Sequence, residues 1–142
     1  MSSVPLHYVD LRASPYVTED EQRVATALGS LLPEGFDLER TESAGHHGAP
    51  IVIFSARVEE TTALRSVLDG LGELPAAERE TVAAELDERV TEDCTLFLSL
   101  DKQAAAGGEI RLGEGLTVRA KIEAYPAKHE RAVDAIETAG VL

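Results

Sequence analysis

Apolar and polar residues follow two different periods along this chain, and the change of period separates strands from helices. Segments that alternate with a period of two, or that form a short apolar run, predict strands over residues 4–13, 36–42, 51–58, 95–100, 109–112 and 117–124. Apolar residues at helical spacing predict helices that begin after Thr18, near Leu64, at Pro75 and at Tyr125-Pro126. The predicted order of elements is therefore β-α-β-β-α-α-β-β-β-α.

The order of these elements indicates the fold class. Strands 36–42 and 51–58 follow each other directly, as do 109–112 and 117–124, so both pairs are expected to form hairpins. Strand runs interrupted by amphipathic helices predict an α+β fold, with a mixed, mainly antiparallel sheet and helices packed on one face. Since 142 residues suffice for one core and no internal repeat or long linker is visible, we expect a single domain over residues 1–142.

Composition narrows the class of protein. With 44% hydrophobic and 27% charged residues, the chain has the balance of a globular protein rather than a disordered one. One cysteine, Cys94, excludes an internal disulfide framework and fits a reducing compartment. Neither a bilayer-spanning apolar run nor a secretion signal is present in the sequence. We therefore expect a cytoplasmic protein that does not contact membranes.

The charge is strongly negative and unevenly distributed. The formal net charge is −13, and only three of the thirteen basic residues are lysine, a balance typical of proteins adapted to a salt-rich cytoplasm. An ordinary acidic domain, charged for solubility alone, is the alternative. Residues 1–100 hold 7 basic and 19 acidic residues, whereas residues 101–131 hold 6 basic and 5 acidic. An anionic partner would therefore approach residues 101–131 at the least cost.

The strand at 117–124 holds the clearest candidate binding residues. Its apolar residues alternate inward, so Arg119 and Lys121 lie two positions apart on the outward face. Two cations on one strand face can contact successive phosphates of a nucleic acid, or they can be solvated or paired with neighbours such as Glu123. Arg12, on the outward face of the first strand, is a candidate by the same argument.

Two further segments contain residues with binding chemistry. Lys102 and Gln103 follow a strand end and lead into AAAGG, where small residues allow a ligand close to the backbone or simply form a flexible connection. The glycines match neither phosphate-loop pattern, GxxxxGK or GxGxxG. His46 and its neighbour lie in a glycine-flanked loop without a second metal-binding motif, so base stacking is favoured over metal binding.

Catalytic chemistry has little support in the sequence. There is no spaced nucleophile motif, and we expect neither a bound metal nor a cofactor. A nuclease would need carboxylates around a divalent ion, for which Asp10, Asp101 and Glu123 are the strand-end candidates. We therefore expect a protein that is not an enzyme.

Several segments together resemble a known family. HYVDLRA, TEDEQRV, GHHGAPIVIF, RVTEDCTLFLSLDKQAA and KIEAYPAKHERAV occur in the order found in an archaeal family of small RNA-binding proteins described as exosome-associated. The resemblance implies a fold similar to that of the ribosomal protein that holds five-S RNA. It also implies RNA binding linked to RNA processing or decay. Its motif positions correspond here to His46, Lys102, Gln103, Lys121 and Lys128.

Two functions from different classes follow. In the first, the protein binds RNA without catalysis and takes part in RNA processing or exosome-mediated decay. In the second, it is a protein-interaction or dimerisation module of an RNA-processing assembly and does not contact RNA itself. The second hypothesis rests on exposed strand edges and on Phe97, which the alternation places outward.

Overall fold

The computed structural model describes residues 4–15, 20–44 and 50–139, which form five strands and six helices. In chain order these are β1 (Leu6–Ala13), α1 (Glu21–Gly29), β2 (Glu39–Ala44), β3 (Pro50–Val58), α2 (Thr61–Leu71), α3 (Ala76–Ala84), α4 (Leu86–Arg89), β4 (Thr95–Asp101), α5 (Lys102–Ala106), β5 (Gly115–Ile122) and α6 (His129–Ala139).

The strands form one open sheet in the order β2-β3-β1-β5-β4. Every neighbouring pair is antiparallel, so the α+β class and the hairpin of β2 and β3 are confirmed. Likeness to the ribosomal protein that holds five-S RNA, and the single domain over residues 1–142, stay predictions. The first strand of the chain lies at the centre of the sheet, between β3 and β5.

The core lies between one face of this sheet and the helices. Alternate residues of β1, β4 and β5 are buried on this face, and apolar residues of α1, α2 and α6 pack against them. The largest of these fully buried side chains are Leu11, Leu28, Leu71, Leu96, Leu100, Leu116, Ile122 and Ile136. Most side chains on the opposite face of β1, β3, β4 and β5 are half-buried or exposed.

The chain between β4 and β5 differs from the prediction. Residues 109–112 do not form a strand, and only an isolated bridge from Leu112 to Leu100 remains. The AAAGG segment is not a flexible connection, because its start belongs to α5. The Asp101 carboxylate caps this short helix by accepting a hydrogen bond from the Ala104 N–H at 3.0 Å.

Three helix boundaries also differ, one of them because α6 begins at His129 and not at Tyr125-Pro126. The single helix predicted after Pro75 is divided into α3 and α4 at Glu85, whose φ of −103° and ψ of 8° depart from helical values. Helix α1 is capped by the Asp20 carboxylate, which accepts from the Gln22 N–H at 2.9 Å. Thr18, the predicted cap, lies outside the described residues. In the described part of the chain, every helix is too short or too polar to cross a membrane.

Candidate nucleic-acid interface

The sheet face opposite the helices carries a cluster of cationic, aromatic and hydroxyl side chains. Cross-strand register places Arg57, Asp10, Arg119 and Phe97 side by side in one row across β3, β1, β5 and β4. The row on one side of it contains Ser55, Arg12, Thr117 and Ser99, and the row on the other side contains Tyr8 and Lys121. We call these ten residues the open face.

Arg57 is the most firmly held cation of the open face. Its Nε and Nη2 donate to the two carboxylate oxygens of Asp10 at 2.8 and 2.9 Å, and its Cζ lies 4.0 Å from the centre of the Tyr8 ring. The hydrogen bonds to Asp10 raise the pKa of Arg57 above its ordinary value. Its side chain is still 51% exposed, so Arg57 remains accessible to solvent despite these contacts.

Arg119 forms a second ring–guanidinium pair. It lies opposite Asp10 on β1 and Phe97 on β4, and its Cζ is 4.9 Å from the centre of the Phe97 ring. The alternation correctly places Phe97 on the outward face. However, the arginine covers the ring, which is half-buried, so this phenylalanine is not a bare apolar contact surface.

The two remaining cations lie on either side of this row. Arg12 is exposed between Ser55 and Thr117. The Lys121 ammonium donates to the backbone carbonyl of Asp93, which directs it toward the β4 end of the face. A shallow groove of about 550 Å³ runs between Arg12, Arg57 and Arg119. The carboxylates of Asp10 and Glu39 also line this groove.

The candidates outside the open face have different environments. Lys102 is buried with 3% exposure, and its Nζ donates to the Ser14 carbonyl at 2.5 Å. The Gln103 side-chain oxygen accepts from Arg23 Nε at 3.3 Å. Lys128 is exposed just before α6, and His46 lies outside the described residues. Among the sequence candidates, the open face therefore brings together Arg12, Arg119 and Lys121.

Sequence reasoning missed Arg57. Arg57 lies in the acidic part of the chain, in a strand that reads as apolar, and its partner Asp10 is 47 positions away. The available signal was its outward place in the alternation of β3, next to the buried Ala56 and Val58.

The carboxylates considered for metal-dependent cleavage do not converge. Asp10 is opposite Arg119, Asp101 is opposite Gly115, and Glu123 follows the end of β5. Measured along β5, the three carboxylates are therefore spread from its first residue to the residue after its last. Within residues 4–15, 20–44 and 50–139, no group of three or more His, Cys, Asp or Glu side chains could hold a metal ion.

The comparison with protein families decides between the classes of binding site. A family model described as RNA binding matches residues 8–123, which include all of β1 through β5 except the first two residues of β1. The chain belongs to this RNA-binding family. A curated relative, the RNA-binding protein PAB1135 of Pyrococcus abyssi, is 32% identical over 92% of this chain and 90% of its own length.

Solved structures of family members share the fold. A DUF54 protein from Methanothermobacter thermautotrophicus is 36% identical, covers 94% of this chain and 96% of its own, and superposes with a TM-score of 0.76. A DUF54 protein from Archaeglobus fulgidus is 25% identical over 96% of this chain and 99% of its own, with a TM-score of 0.81. The five-stranded sheet is thus an architecture shared with archaeal proteins of this family.

Proposed function

We propose that this protein binds RNA on the open face and does not catalyse a reaction. The observation that carries the proposal is the convergence of Arg12, Arg57, Arg119 and Lys121, from three adjacent strands, on one side of a rigid sheet. The chain as a whole has a net charge of −13, whereas the ten residues of the open face include four cations and one carboxylate, Asp10.

The other groups on the face suit a polynucleotide better than a simple anion. Hydroxyls of Ser55, Thr117 and Ser99 lie in the same row as Arg12. They can donate to phosphate or ribose oxygens. Asp10 offsets part of the positive charge and is itself neutralised by Arg57. Contact therefore combines a few phosphate interactions with hydrogen bonds, and modest affinity follows.

The remaining sequence candidates take peripheral roles in this proposal. Lys128, exposed beyond β5, and His46, which lies outside the described residues, extend the contact beyond the sheet in this proposal. Lys102 acts by position, because its hydrogen bond to the Ser14 carbonyl fixes the end of β1 two residues after Arg12. Gln103 links α5 to α1 by accepting a hydrogen bond from Arg23.

Charge reversal tests the proposal. The double variant Arg12→Glu/Arg119→Glu should weaken RNA binding by at least about tenfold, because two phosphate contacts become repulsive. Arg131→Glu is the matched control, since Arg131 is an exposed arginine on α6, in the helix layer. Binding is measured by fluorescence anisotropy with labelled RNA, and folding by circular dichroism. The double variant reverses two charges and the control one, so a logarithmic loss in Arg131→Glu of half that in the double variant would show a response to net charge alone and contradict an open-face site.

We further propose that the protein binds RNA that undergoes processing or exosome-mediated decay, as the family resemblance implies. The edge strand β2 pairs only with β3 among the described strands, and this favours a second candidate, protein contact or dimerisation by strand addition. Pull-down from lysate with and without nuclease separates the two. Partners released by nuclease support an RNA link, whereas nuclease-resistant partners, with no RNA crosslinked to the open face, support the protein-contact function.

A further inference from the structure

We propose that the guanidinium planes of Arg57 and Arg119 are stacking surfaces for two unpaired RNA bases, an inference that rests on the proposed RNA-binding function. Each plane already has an aromatic ring on one side, Tyr8 for Arg57 and Phe97 for Arg119. In each pair the aromatic ring supports the guanidinium, and the guanidinium is the group that contacts the base. Arginine planes and aromatic rings both stack on exposed bases in RNA complexes.

The geometry distinguishes Arg57 in particular from an ordinary solvated cation. Asp10 binds Arg57 through both carboxylate oxygens, and this two-point contact fixes the orientation of the plane as well as its position. With Tyr8 4.0 Å below, the plane has little freedom left to lose when a base stacks above it. A solvated lysine in the same place would supply charge without a plane.

The spacing of the two planes selects unpaired RNA. β3 and β5 lie on either side of β1, so the backbones at Arg57 and Arg119 are two interstrand spacings apart, about 10 Å. Arg119 also leans toward β4, away from Arg57. Bases in a helix are stacked about 3.4 Å apart and have no free faces. Two bases can reach both planes only in a strand that is splayed open, such as a single strand or a loop of a folded RNA.

Substitution of arginine by lysine tests the plane while the charge is kept. Arg57→Lys and Arg119→Lys should each weaken binding of a short single-stranded RNA by about tenfold, the loss of about 1.4 kcal/mol expected for one stacked base. Arg131→Lys, the same change on the helix layer, should leave affinity unchanged. The RNA carries one 2-aminopurine, whose fluorescence is quenched when it stacks, and the quench should be lost in the open-face variants.

Asp10→Asn gives the sharper result, because the two explanations predict opposite signs. If the face acts through charge alone, removal of a negative charge should strengthen RNA binding. If Asp10 orients the Arg57 plane, binding should weaken several-fold and the 2-aminopurine quench should decrease. Tighter binding by Asp10→Asn, or Arg→Lys variants that bind and quench like the wild type, would overturn the stacking inference. Failure of the wild-type protein to bind any RNA would instead overturn the proposed function.

Discussion

Lys102 shows how a residue with the chemistry of a binding site can have a structural role. It is 3% exposed at the start of α5, and its ammonium donates to the Ser14 carbonyl. Lys102→Met keeps most of the side-chain volume but leaves this carbonyl without its donor. We expect a loss of about 1–3 kcal/mol in the free energy of unfolding, measured by urea denaturation. RNA affinity of the folded variant should change less than about twofold.

Lys128→Met is the matched control for stability alone, because Lys128 is exposed and has a proposed contact with RNA, not a buried position in the fold. It should leave the unfolding free energy unchanged. If Lys102→Met retained full stability but lost RNA binding, Lys102 would contact RNA directly and the positional role would be wrong.

For single residues, the sequence predicts which face of the sheet a side chain lies on better than it predicts the residue with which that side chain pairs. The period of two correctly placed Arg12, Arg119 and Phe97 on the outward face, because that period is a local property of an extended backbone. The pairing of Arg57 with Asp10 depends on the register of β1 against β3. The pattern within either strand alone does not specify that register. The burial of Lys102 was missed because α5 has only five residues, too few for an apolar period.

Among the elements, the segment 109–112 shows why a correct pattern gave a wrong element. Ile110 is buried and Arg111 exposed, as the alternation requires. A helix carboxylate nevertheless replaces the expected strand partner, because Glu78 of α3 accepts from the Leu112 N–H at 2.6 Å and from Arg111 Nε at 2.8 Å. Periodicity reports which side of a segment is buried, and it contains no information on which backbone groups pair.

The Glu78 contact should make stability depend on pH. The hydrogen bond from the Leu112 N–H, followed by that from Arg111, lowers the pKa of Glu78 below its ordinary value of 4.5. A carboxyl with a lowered pKa in the folded state stabilises the fold above its unfolded pKa, and this contribution is lost as pH falls through the folded pKa. Glu78→Gln should therefore be less stable than the wild type at neutral pH, and the difference should shrink below the ordinary glutamate pKa.

Thermal unfolding followed by circular dichroism, at a series of pH values and constant salt, measures this difference. Glu80→Gln is the control, because Glu80 is an exposed carboxylate on the same helix. It should show no comparable convergence with the wild type at low pH. A gap between Glu78→Gln and the wild type that stays constant down to acid pH would contradict an ionised Glu78 as the acceptor.

For the whole molecule, the architecture followed from the order of elements, whereas the binding surface did not follow from charge counting. The near-neutral segment 101–131 contributes Arg119 and Lys121 to the open face. Arg12 and Arg57 come from the acidic first hundred residues and reach the same face only because β1 and β3 pair with each other and β1 with β5. A count of charges along the chain combines residues that lie on different faces of the folded protein. It therefore locates only two of these four cations.

The same surface sets the response of RNA binding to salt. The four cations of the open face together with Lys128 can release counterions from at most about five phosphates, so the slope of log affinity against log salt should be no steeper than about −3.5 for single-stranded RNA. At about 1 M salt the screening length is roughly 3 Å, and the remaining affinity must come from stacking and hydrogen bonds. We propose that this suits a protein of net charge −13 in a salt-rich cytoplasm. Anisotropy titrations from about 0.1 to about 1 M potassium chloride measure the slope. A slope steeper than about −5 would require more phosphate contacts than the open face supplies and would place much of the RNA elsewhere on the molecule.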